Sequence, residues 1–283
     1  MITKTDAVVL KAMKYRDTSK IVTFYTRRFG KLKGIAKGAR QQRSKFGASL
    51  DPLSKVSLVL YKKEQRDLHL VSQCDLLSVS KNIRDDLEKM AAGLAVLELV
   101  DQLAHEEEEN EPFFSLLSET LESIETAKKN VLNLFYAFEL RCSAILGFLP
   151  DLESCTVCRR RIDQLEGDLS VLFRLTSGGV LCGMCTGEAG NSGGRGRQRN
   201  TEGHVKSFSA AREEGSVRLA VGTVRALAFL LKAPLVNVSS LEIGPAVRNE
   251  IDGTLRLYLR QHFENMKPVK ALDLLAKFDV AKW

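Results

Sequence analysis

The chain has 283 residues, 44% of them hydrophobic and 27% charged, and a formal net charge of +7. That length allows two or three modules with cores of their own, and the composition excludes a disordered or fibrous protein. No run approaches the roughly 18 apolar residues of a membrane span, and Met1–Asp6 opens straight into a strand-like pattern, so no signal peptide is expected. Six cysteines, four of them in CxxC pairs, suit a reducing cytoplasm better than a secreted disulfide scaffold.

The net charge hides a segregation. Residues 1–80 hold 17 Lys/Arg against 6 Asp/Glu, whereas residues 81–154 hold 6 against 16. A cation of that density is expected to meet a polyanion. The module after it is almost equally anionic.

In chain order, the first 80 residues alternate with period two. Strands are expected at Ala7–Ala12, Lys20–Thr26, Lys31–Ala36, Val56–Tyr61 and Leu68–Cys74, with Gly30 in a tight turn. Five short strands fit a small closed barrel, either an OB-fold or an SH3-like barrel. From residue 81 the period becomes 3.6. One amphipathic helix is expected from Ile83 to Leu103, a second from Pro112 through Ile124, and a third from Val131 to Ile145 that is apolar around most of its circumference. The acidic run Glu106–Glu111 between the first two is expected to be a solvated loop.

Cys155-Thr-Val-Cys158 and Cys182-Gly-Met-Cys185 then form two knuckles 23 residues apart. Each CxxC turn aims two thiolates at one point, and two such turns complete the tetrahedron that zinc prefers. Four cysteine ligands leave no open coordination position, so a structural zinc ion is expected, with an iron–sulfur cluster or two unrelated CxxC pairs as alternatives. A hairpin from Leu169 to Leu181 would fill the gap, and the metal would staple a segment short of apolar residues. Residues 186–207 hold six glycines with Arg195, Arg197 and Arg199, which reads as a flexible insertion. Helices are expected at Val221–Lys232, Pro245–His262 and Val269–Phe278.

The functional signal is the basic cluster. Arg27, Arg28, Lys31, Lys33, Lys37, Arg40, Arg43 and Lys45 fall within 19 residues, and Phe29, Phe46, Tyr15 and Tyr61 are available to stack on bases. No Walker loop, G-x-S-x-G or dinucleotide fingerprint is present, so no enzyme is expected. Cys74 and Cys142 lie on apolar stripes and read as core, and the four histidines show no ligand spacing.

The segments Asp6–Leu10, Asp17–Thr26, Phe29–Leu32, Gly34–Arg40, Ser44–Gly47, Leu50–Pro52 and Leu60–Tyr61, then Phe138-Glu139-Leu140-Arg141, Gly147…Pro150 and the four cysteines, resemble in order the RecO family of bacterial recombination mediators. The resemblance implies an α+β chain: an OB-fold DNA-binding domain (1–80), a helical domain (81–154 and 208–283), and a four-cysteine zinc-finger segment (155–185); the 186–207 insertion departs from the family pattern. It implies binding to single- and double-stranded DNA, annealing of complementary strands, and loading of RecA, with RecR, onto strands coated by single-strand-binding protein (SSB). The barrel face around Lys31, Lys37 and Arg40 would carry the DNA. The helical domain would take the acidic, Phe-ended SSB tail, which in so anionic a module requires a local basic and apolar pocket. No membrane and no small-molecule substrate is implied, and the location is cytoplasmic and nucleoid-associated. The alternative class is a zinc-ribbon transcription or RNA-binding factor.

Overall fold

The computed structural model describes residues 1–62, 66–78, 80–165, 170–186 and 215–277. The expected insertion, apart from Thr186, lies outside the described residues, as do Leu169 and Phe278 at the ends of two expected elements.

Strands β1 (Ile2–Tyr15), β2 (Ser19–Thr26), β3 (Gly30–Ala36), β4 (Lys55–Tyr61) and β5 (Leu68–Ser78) close a barrel in the order β1-β2-β3-β5-β4. Strand β1 pairs with both β2 and β4, and every pairing is antiparallel except β3 with β5, from Lys33↔Leu68 to Ile35↔Leu70. This ladder is that of an OB-like barrel. Strand β1 starts five residues before the expected Ala7. Its inward positions there are Thr3 and Thr5, both buried, so the alternation exists without a hydrophobic signal. A bulge between Val9 and Lys11 then turns the strand. Val9 faces the barrel core with Phe24 and Leu58, while Val8 and Leu10 join the helical core.

The single helix expected from Ile83 to Leu103 is two, α1 (Lys81–Asp85) and α2 (Leu87–Leu103). Asp86 between them is extended, and its carboxylate accepts from the Lys89 N–H at 2.9 Å, so a side chain that caps well ends one helix to start the next. Glu125 performs the same service for α1, accepting from the N–H groups of Asn82 and Ile83. Glu125 belongs to α3 (Glu111–Thr126), which Asn110 caps and Pro112 opens. Helix α4 (Leu132–Ile145) is buried on all sides at the centre of the helical domain, as its all-round apolar pattern requires.

Strands β6 (Asp151–Cys155), β7 (Ser170–Arg174), β8 (Gly179–Leu181) and β9 (Ser216–Ala220) form a second sheet in the order β6-β8-β7-β9. Its last strand comes from beyond the insertion, so the sheet that carries the four cysteines is not built from residues 155–185 alone. Nor is it short of apolar residues: Leu152, Ile162, Val171, Phe173, Val180 and Leu219 are buried in the main core. Helices α5 (Val221–Lys232), α6 (Leu235–Val238), α7 (Pro245–His262) and α8 (Asp273–Lys277) complete the chain. Helix α5 is held at both ends. Glu250 of α7 accepts from the Ala220 N–H at 3.0 Å and the Thr223 hydroxyl at 2.6 Å, and Arg141 of α4 donates to the carbonyls of Leu230 and Ala233.

The barrel meets the helices through an aromatic cluster and an acidic strap. Tyr25 packs edge-on against Phe113 with ring centroids 5.4 Å apart and stacks on Phe114 at 6.2 Å. The acidic run is an interhelical loop with exposed glutamates, as expected, and it is also laid against the β2–β3 hairpin: Glu106 bridges Lys31, and the Glu107 N–H donates to the Lys31 carbonyl at 3.0 Å. The close approach depends on Gly30, whose φ of +59° a side chain disfavours and where a Cβ would collide with the Glu108 carbonyl. Gly30→Ala is therefore expected to lower stability by at least about 1 kcal/mol, measured by urea unfolding, and to raise hydrogen exchange at Glu107.

Candidate metal centre and nucleic-acid interface

The two knuckles come together as their spacing demands. Cys155 ends β6, and the parallel partner β8 delivers Cys182 beside it, so that the Cys182 N–H reaches the Cys155 sulfur at 3.4 Å. The four Sγ atoms of Cys155, Cys158, Cys182 and Cys185 lie within 4.8 Å of one another, with Cys158 and Cys182 at 3.6 Å. A tetrahedron of Zn–S bonds near 2.3 Å places its sulfurs about 3.8 Å apart, so the site fits a metal ion of that size. Burial works against ionising Cys155, yet the backbone N–H groups of Cys158, Cys182 and Val157 outweigh it and bring this thiol down to about 6. Burial and crowding by the other sulfurs push Cys185 up, and burial pushes Cys182 up. A cation would relieve this conflict by taking all four as thiolates.

Cys74 and Cys142 are buried away from this site. Burial pushes the Cys74 thiol up to about 11, and Cys142 is also driven well above its usual range by burial first. Both are core residues, and neither is an activated nucleophile.

The basic cluster divides in two. At the hairpin, Arg27 pairs with Glu111 and with Asp6 at 3.7 Å, its guanidinium lying 4.7 Å from the Phe114 ring centroid. Lys31 donates to the Asp101 carbonyl at 2.7 Å, and Lys33 pairs with Glu106. Lys62, which the sequence reading passed over, reaches Glu107 at 2.7 Å, and the fully buried side chain of His69 meets the same carboxylate at 3.0 Å. The Lys33 hydrogen bond holds Glu106 below the usual carboxylate range, and the Lys62 hydrogen bond does the same for Glu107. These cations are already matched by the acidic strap.

At the other end of the barrel, Lys37, Arg40, Arg43 and Lys45 are exposed and form no ion pair among the described residues. The segment that carries them is a series of turns anchored on the β1–β2 hairpin. The Arg40 N–H donates to the Thr18 carbonyl at 2.9 Å, and its guanidinium to the Arg16 carbonyl at 2.8 Å. This brings the exposed Lys14 and Arg16 onto the same end, two cations outside the expected cluster whose only sequence signal was their place on a neighbouring hairpin. Arg28 is exposed beside Phe29, at 5.3 Å from its ring centroid. Of the aromatic residues expected to stack on bases, Phe46 is 4% exposed and belongs to the barrel core. Tyr15 is half-buried under Arg16, and Tyr61 is exposed.

Among the described residues no helix is long and apolar enough to cross a membrane. The fold and site thus define a protein with an OB-like barrel that has a cationic end, joined to a helical region that carries four clustered cysteines able to hold a metal ion. The family models described as recombination protein O N terminal and recombination protein O C terminal match residues 1–79, and 84–194 with 191–272. The DNA repair protein RecO of Salinibacter ruber is 32% identical over 99% of this chain and 96% of its own length. That of Chloroherpeton thalassium is 29% identical over 97% and 98%, and that of Chlorobium limicola 41% identical over 55% and 59%. The chain belongs to the RecO family of DNA repair and recombination proteins.

Metal binding has a direct check. Cys182→Ser, or chelation, is expected to release the bound ion and to expose amides of β6 to β9 to hydrogen exchange before those of the barrel. Metal affinity should fall as pH is lowered, because each thiolate must give up its ion to a proton.

Proposed function

We propose that the protein is a non-catalytic recombination mediator that binds single- and double-stranded DNA, anneals complementary strands and, with RecR, helps load RecA onto SSB-coated single strands. The observation that carries the DNA reading is the set of cations left unpaired at one end of an OB-like barrel: Lys37, Arg40, Arg43 and Lys45, with Arg16 and Lys14 beside them. Neutralising phosphates there releases counterions and lets two like-charged strands approach. Arg27, Lys31 and Lys33 contribute less in this reading, because carboxylates already occupy them; Arg28, exposed, flanks the path. The metal is a structural zinc ion, held by four thiolates with no position open for chemistry.

Charge reversal at Lys37 and Arg40 is expected to weaken binding to all DNA sequences about equally and to flatten the salt dependence. Annealing of complementary oligonucleotides coated with SSB, with and without RecR, tests the whole assignment: no acceleration would sink it. A strong preference for RNA or for one sequence would favour the transcription-factor alternative instead.

The SSB tail has a matching cavity. A cleft of about 380 Å³ between α4 and α7 is lined by Leu132, Phe135 and Leu272 and ringed by Arg248, Arg256, Arg260 and Lys267. Apolar walls suit a terminal Phe and the cations suit acidic residues before it, although Asp273 and Asp252, which pairs with Arg256 at 2.7 Å, share the lining. Glu139 of the Phe-Glu-Leu-Arg motif also lines the cleft, but burial, then the nearby Asp252 charge, hold its carboxyl well above the usual range. A carboxyl biased in this way toward its neutral form repels an acidic peptide less than an ordinary glutamate would. Its folded value lies above its unfolded one, so its contribution to stability is full below the ordinary Glu range and is lost as pH rises through the raised value. Glu139→Gln is accordingly expected to gain thermal stability over the parent as pH is raised from about 5 to about 8. Arg256→Glu should weaken binding of an acidic Phe-ended peptide about tenfold, measured by fluorescence anisotropy.

A further inference from the structure

The cationic end of the barrel is not the chain's only unpaired arginine cluster. Directly after the first knuckle come Arg159, Arg160 and Arg161, all exposed. Arg161 is bound to Asp163 at 2.8 Å, but Arg159 and Arg160 form no ion pair among the described residues. Arg225 of α5 supports the turn from beneath, donating to the carbonyls of Ile162 and Asp163 at 3.4 and 3.1 Å. The backbone holds the run in place. The Arg159 N–H donates to the Cys155 carbonyl and the Cys155 N–H to the Arg160 carbonyl, both at 2.9 Å, so the arginines turn with the metal site.

Two features set this turn apart from a solvated charged loop. Arg159 has a φ of +62°, the left-handed region that glycine occupies without strain. Glycine would relieve the turn there, so removal of this side chain should not harm the fold, although Arg16 and four other non-glycine residues also occupy the left-handed region. Second, the residues at the two knuckle tips are apolar and outward: Val157 is 63% exposed and Met184 57%. The guanidinium of Arg160 reaches the Met184 sulfur at 3.2 Å, so the tips of both knuckles and the arginines form one surface. Unpaired arginines beside small apolar tips are the combination that tracks a phosphate backbone and presses against exposed base edges.

We infer that the knuckle tips of the metal centre, through Arg159, Arg160, Val157 and Met184, are a second contact for the phosphate backbone of DNA, separate from the barrel. The inference rests on the DNA-binding reading above. It gives the metal centre a task beyond stability, since the four thiolates hold the two tips side by side. It also gives one molecule two places at which to hold strands, as annealing requires.

The test uses the full chain with its metal and a fluorescein-labelled oligo-dT titrated across a range of salt. In Arg159→Gly/Arg160→Gln the affinity is expected to fall about tenfold and the slope of log K against log salt to flatten by about 1.4, two single-strand contacts' worth. Metal content should stay at one ion per chain. Arg159→Gly alone should raise the thermal midpoint while lowering affinity, the opposite signs expected of strain kept for binding. Parental affinity and slope in the double variant would overturn the inference. So would loss of the metal, which would make the arginines counter-charges of the thiolates. If Lys37→Glu/Arg40→Glu weakens binding and the knuckle variant does not, the second contact alone falls; a parent that binds no DNA removes both readings.

Discussion

The acidic strap on the β2–β3 hairpin is the contact on which the rest of the molecule's electrostatics depends. A barrel with eleven excess positive charges is followed directly by a segment with ten excess negative ones, and the fold sets the two against each other. Individually these surface pairs are worth little, about 0.2–1 kcal/mol. They act together with the aromatic cluster of Tyr25, Phe113 and Phe114 beneath them. The consequence for function is spatial. The charges consumed at the joint are those nearest the helical domain, whereas Lys37, Arg40, Arg43 and Lys45 at the far end of the barrel form no ion pair among the described residues.

Much of the fold was legible because its signals are local. The barrel strands alternate, Gly30 marks the tight turn, and α4 is apolar all round because it is buried all round. The two CxxC turns carry their own geometry, so the clustering of the four cysteines could be read from spacing. What stayed hidden depended on partners far along the chain. Thr3 and Thr5 look like surface residues until β4 closes over them. Asp86 breaks a helix that its neighbours favour because it caps the next one. Strand β9 pairs across the insertion with β7, and no local pattern announces a partner 42 to 50 residues away.

The basic cluster shows the same limit. Arg27, Lys31, Lys33 and Lys37 are alike in composition, and their difference is set by carboxylates at positions 101 to 111, in another domain. Lys14 and Arg16 carry no signal except through the turn that Arg40 anchors on them. The Phe-Glu-Leu-Arg motif divides likewise once folded: Phe138 packs on Phe113, Arg141 closes the end of α5, and Glu139 lines the cleft. One short motif thus ties the central helix to the barrel joint, to α5 and to a cavity.

The closed ladder of the barrel has an effect on how copies of the protein can gather. Because β1 pairs on both sides and β3 and β5 seal the last gap, every barrel strand has its neighbours within the same chain. An open sheet offers its edge to the next molecule, and crowding makes such edges a route to aggregation. Here crowded molecules find no unpaired barrel strand to extend. Contacts between copies at the barrel would therefore run through side chains, whereas β6 and β9, at the rims of the second sheet, each pair with a single strand of it.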